Sequence, residues 1–109
     1  MEVSRKGRRN IIYKNQAFVW WVGENEEDEG RIWLNVVSED KQIILAYRVG
    51  EGDFFVVSKG RFFQGEKTSG CWEKYWYPMQ DVPMAVTPKF VHALIAWAVA
   101  GRDADKIKE

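Results

Sequence analysis

Cysteine, histidine and proline are scarce in this chain of 109 residues, and its charges cancel. Cys71 is the single cysteine, so there is no internal disulfide and no second thiol for a zinc site, which fits a reducing compartment. His92 is the single histidine, which excludes a histidine cluster around a metal. Sixteen basic residues balance sixteen acidic ones, so no whole-molecule field draws the chain to nucleic acid or to an anionic bilayer, and any such attraction is local. No apolar run is long enough to cross a bilayer. Met1 to Lys6 carry charge without an apolar stretch, which predicts no secretory leader and a cytoplasmic home.

Signatures of chemistry are equally thin. Gly50-Glu51-Gly52 lacks the rest of a dinucleotide fingerprint, no phosphate-cradling Gly-Lys-Ser or Gly-Lys-Thr occurs, and no nucleophile elbow is present. The acidic stretch Glu24 to Glu29 lacks the alternating ligands and mid-loop glycine of an EF-hand and reads as a solvated charge run. No cofactor or metal is expected. Cys71 and His92 remain as a conceivable nucleophile and base, but no local signature surrounds the cysteine.

What the chain does have is apolar material: 46% hydrophobic and 15% aromatic residues, six of them tryptophan. That is ample for one core at this length, and the organisation reads as a basic arm over 1–8, one domain over 9–101 and a polar tail over 102–109 that frays. Strand signals recur along the domain. Residues 9–13 lead through a turn at Lys14, Asn15 and Gln16 into Ala17 to Val22. Further runs follow at 32–37, 43–47, 54–58, 61–64 and 72–77, separated by glycine or polar residues. Toward the end the period changes. Thr87 is suited to cap a helix, Pro88 to open it and Gly101 to close it. Phe90, Val91, Leu94, Ile95, Trp97 and Ala98 form its broad apolar face, with Lys89, Ala93, Ala96 and Ala100 opposite.

The fold class is therefore α+β: an antiparallel meander of five to seven strands packed on one C-terminal helix. Several strands are apolar at adjacent positions, as in Trp20-Trp21, Ile43-Ile44, Phe54-Phe55, Phe62-Phe63 and Tyr75-Trp76, and adjacent residues point to opposite faces. One helix covers one face only. The expectation is a strongly curled, partly closed sheet that buries its own aromatics, with an open aromatic face as the competing solution.

Function follows from that second solution. The expected role is a small non-catalytic binding module that meets an unidentified protein partner, in the manner of an inhibitor or immunity protein, or a second copy of itself. Trp21, Trp33, Tyr75 and Trp76 are the candidate contact residues, because interfaces favour tryptophan and tyrosine. The helix stripe of Ala93, Ala96 and Ala100 is a second route to a homodimer. The alternative is single-stranded nucleic acid, which cationic grooves and aromatic platforms bind together, with Arg5, Lys6, Arg8, Arg9, Lys59 and Arg61 as its candidates. No membrane role is expected. An enzyme using Cys71 and His92 is the remaining alternative.

An early strand pair carrying Tyr13, Phe18, Trp20 and Val22, a meander, and then Val86-Thr87-Pro88 followed by Val91, Leu94 and Ile95 resembles small uncharacterised bacterial proteins. The resemblance covers both ends of the chain and implies no activity, cofactor or site residue.

Overall fold

The structure, a computed structural model, describes residues 8–25, 30–49, 55–76, 86–101 and 105–106. Its elements in chain order are β1 (Arg9–Tyr13), β2 (Gln16–Asn25), β3 (Arg31–Ser38), β4 (Ile44–Arg48), β5 (Phe55–Ser58), β6 (Phe62–Phe63), β7 (Glu66–Lys67), β8 (Glu73–Trp76), α1 (Pro88–Ala100) and β9 (Asp105–Lys106). β1 to β5 and β8 make a six-stranded antiparallel sheet, and β9 extends its edge to give the order β1-β2-β3-β4-β5-β8-β9. The α+β class and the packing on one helix are as the sequence predicts.

The strong curl is not found. The sheet is open, with β1 at one edge and β9 at the other, and these edges do not pair. Closure would require β1 to reach the free side of β8, but β9 occupies that side through Tyr75↔Lys106 and Trp76↔Asp105. The tail expected to fray thus contributes a strand. Residues 61–64, read as a sheet strand, instead enter a separate hairpin of β6 and β7. Gln64 (φ 52°) and Gly65 (φ 78°) turn it, with the positive dihedrals of a type I′ turn. Lys14 (φ 46°) and Asn15 (φ 67°) do the same between β1 and β2.

The core lies between α1 and one sheet face. Phe18, Leu34, Val36, Leu45, Tyr47 and Val56 are buried on the sheet side, and Phe90, Val91, Leu94, Ile95 and Ala98 on the helix side. The four larger helix residues contribute roughly 1.5–3 kcal/mol each relative to exposure. Ring contacts position the helix: Phe90 lies 5.4 Å from Tyr47, His92 lies 5.3 Å from Tyr13, and Trp97 lies 5.2 Å from Phe63.

Both helix ends are capped. The Thr87 hydroxyl accepts from the Phe90 N–H at 3.2 Å, satisfying one of the donors that a helix start leaves unpaired. At the other end the Gln64 backbone N–H donates to Ala98 O at 2.6 Å and its side-chain amide to Trp97 O at 3.1 Å. The β6–β7 hairpin is therefore the C-terminal cap. Gly101 also donates to Trp97 O, but it is extended (φ −69°, ψ 163°) and not left-handed. Its glycine is required by space, since a Cβ there would stand 2.5 Å from Trp97 O and 2.6 Å from Gln64 Nε2.

A buried polar group fixes the β3–β4 connection. The Ser38 hydroxyl donates to Asp40 Oδ1 at 2.6 Å and accepts from the Ile43 N–H at 3.0 Å. The hydrogen bond from Ser38, and then that from the Gln42 backbone, hold the Asp40 carboxyl below the usual carboxylate range.

Candidate functional site

Strand alternation divides the sheet residues into an inner set under α1 and an outer set facing away from it. The register places outer residues in rows. One row runs Trp33, Arg48, Phe55, Trp76, and another runs Trp21, Asn35, Ala46, Val57, Lys74. Val19, Val37 and Ile44 form a third. Trp72, two residues before Lys74, joins the same face, with the Lys74 ammonium 5.6 Å from its ring.

Cations interleave with these rings. The Arg8 guanidinium lies 4.4 Å over Trp21, Arg48 lies 5.2 Å from Phe55, and Lys74 lies 5.3 Å from Phe55. Trp33 meets Phe55 edge-on at 6.2 Å. Each such cation contact is worth roughly 0.5–1 kcal/mol where water has access. The centre of the face is thereby packed, with Phe55 and Val57 buried, while Trp72 and Trp76 at its border stay 54% and 49% exposed.

Charge is sorted as well. Arg31, Arg48 and Lys74 occupy outward positions, and no aspartate or glutamate of β1 to β5 or β8 does. Glu24 and Glu73 stand at inward positions of their strands.

Of the residues expected to contact a partner, Trp21, Trp33 and Trp76 share this outer face. Tyr75 does not: it is buried on the inner face, stacked on Phe63 at 4.1 Å, and its hydroxyl donates to Glu73 Oε2 at 2.9 Å. Burial first, then the hydrogen bond to Glu73 and the charges of Glu73 and Glu66, push the Tyr75 phenol up to about 12. Trp72 is not among the expected contacts, although its period-two spacing with Lys74 and Trp76 is a readable signal.

The nucleic-acid candidates are dispersed. Arg5 and Lys6 lie outside the described residues. Arg8 is on the outer face and Arg9 on the inner one, 5.6 Å over Trp20. Lys59 and Arg61 are exposed beside the start of β4, where their N–H groups bond Ile44 O and Gln42 O, four and six residues before Arg48. The aromatic face carries Arg8 and Lys74, which the sequence already offers as ingredients for nucleic-acid binding, together with Arg31 and Arg48, which sequence reasoning leaves aside.

Cys71 and His92 are kept apart. His92 packs on Tyr13 of β1, Cys71 precedes β8, and four strands stand between those two, so β1 and β8 are five steps of ~4.8 Å apart, roughly 24 Å. The described fold does not bring this pair together. Among the described residues no three His, Cys, Asp or Glu side chains group as metal ligands would, and no helix is long and apolar enough to cross a membrane.

Comparison with protein-family models, with curated proteins and with solved structures finds no match to this chain. The functional reading therefore rests on the residues themselves.

Proposed function

We propose that this protein is a small cytoplasmic, non-catalytic binding module whose outer sheet face docks a partner protein. The observation that carries the reading is the gathering of Trp21, Trp33, Trp72 and Trp76 on the face opposite α1, with Trp72 and Trp76 about half exposed. Tryptophan and arginine are the residues in which binding energy concentrates, and packed neighbours that exclude water around them strengthen each contact. Trp72 and Trp76 are the anchors in this reading, and the packed row from Trp33 to Phe55 is the rigid floor behind them.

The test is substitution at the border of the face. Trp76→Ala and Trp72→Ala are expected to weaken partner capture about 30-fold or more each, with circular dichroism and thermal transition unchanged. Loss of fold together with binding, or undiminished capture by both variants, overturns the reading. Light scattering on the purified chain separates a second copy from a different protein as the partner.

A second reading has its own observation: the outward basic residues Arg31, Arg48 and Lys74, with no outward carboxylate in those strands, suit single-stranded nucleic acid. Binding to oligothymidine with log affinity falling by ~0.7 per neutralised phosphate against log salt would support it. No binding, or a flat salt dependence, would remove it.

A further inference from the structure

A recess of about 280 Å³ opens on the opposite side of the molecule, lined by Arg9, Trp20, Val22, Val86 and Pro88. We infer that it is a site for a small monocarboxylate with an aromatic or branched aliphatic body.

The lining dictates that class. Its floor is the Trp20 indole, only 5% exposed, and Val22 beside it is 42% exposed despite being aliphatic. Val86 and Pro88, where the chain enters α1, close the other side. Four of the five described lining residues thus offer carbon surface. The fifth is Arg9, whose guanidinium lies 5.6 Å over the Trp20 ring, and with which no described carboxylate pairs.

Among the described residues no carboxylate lines the recess, the first turn of α1 contains no acidic residue, and Glu24, two residues beyond Val22 on the same strand, is outside the lining. An apolar floor with one cation at its rim selects an anion attached to a hydrophobic body. A neutral ligand leaves the guanidinium unused, and a bare anion leaves the carbon surface wet. The volume is just below the ~300–1,000 Å³ of ordinary ligand pockets, so the ligand is about the size of a benzoate.

This site is independent of the outer face. Its occupancy neither requires nor precludes the partner proposed there.

Backbone and side-chain NMR of the 15N,13C-labelled protein tests it, with benzoate and phenylacetate as probes and benzyl alcohol and acetate as controls. The expected result is saturable shifts confined to the Trp20 indole N–H, the Val22 and Val86 methyls and Arg9. A dissociation constant on the order of 1 mM is expected, as suits about nine heavy atoms. Arg9→Gln should weaken benzoate about five-fold and leave benzyl alcohol unchanged. Val22→Phe, at an exposed position, fills the recess and should weaken both.

Three results each overturn the assignment: no saturation by about 10 mM, equal shifts from acetate and benzoate, which would mean an adventitious ion only, or an Arg9→Gln variant that binds benzoate like the parent.

Discussion

Gly60 follows β5 where the chain passes against the start of β4. A Cβ at this position would collide with the Gln42 carbonyl oxygen and stand 2.8 Å from the Ile44 N, both backbone atoms that cannot swing away. Gly60→Ala should therefore cost roughly 1–3 kcal/mol, the range for overpacking. Gly23 is the internal control: nothing lies within 4 Å of the point where a Cβ would stand, and Gly23→Ala in mid-strand should gain up to ~0.5–1 kcal/mol. Urea denaturation of the two variants, moving in opposite directions, checks the pair. Tyr75 gives a second residue-scale prediction. Its phenol, pushed up to about 12 from the ordinary ~10, holds its proton more tightly folded than unfolded. The resulting stabilisation is complete below about pH 10 and is lost as pH rises from there through about 12. Absorbance titration of the phenolates should show a late step that Tyr75→Phe removes, and a titration unchanged by that substitution would contradict the burial described.

At the scale of elements, α1 is held at its start by a local signal and at its end by a distant one. Thr87→Ala removes the hydroxyl that accepts from Phe90 and should cost about 1 kcal/mol in chemical denaturation. The start is legible because Thr-Pro is a contiguous capping pattern. The end is legible only as a stop: Gly101 announces it and donates to Trp97 O, but the second donor to Trp97 O and the donor to Ala98 O come from Gln64, which no neighbouring sequence reveals. The β6–β7 hairpin escapes a sequence reading for a related reason. Phe62-Phe63 looks like any apolar strand, and the positive φ of Gln64 and Gly65 is what turns it back so soon. In β8, alternation correctly separates Tyr75 from Trp76. Which of them faces the core is decided by register with β5, and a strand apolar at both parities does not disclose it.

For the whole molecule, the surplus of aromatics is legible and its disposition is not. Paired aromatics in successive strands argue for closure, yet the sheet stays open because Asp105–Lys106 occupies the edge of β8. Its outer face reaches partial burial through cation and ring contacts between neighbouring strands. The neutral charge sum likewise conceals an uneven arrangement, with Arg31, Arg48 and Lys74 outward on the sheet and Glu24 and Glu73 inward, on the same side as Arg9. Composition adds charges without regard to face, whereas register assigns each one a side.

The helix that covers the inner face follows all six principal strands in the chain. A ribosome therefore completes those six strands before it supplies the cover. Between Trp76 and Ala100 lie 24 residues of synthesis, roughly one to five seconds at ~5–20 residues per second. For that interval Phe18, Leu34, Val36, Leu45 and Val56 present an unshielded apolar plane on the nascent chain, and this is the window in which a chaperone has a surface to hold.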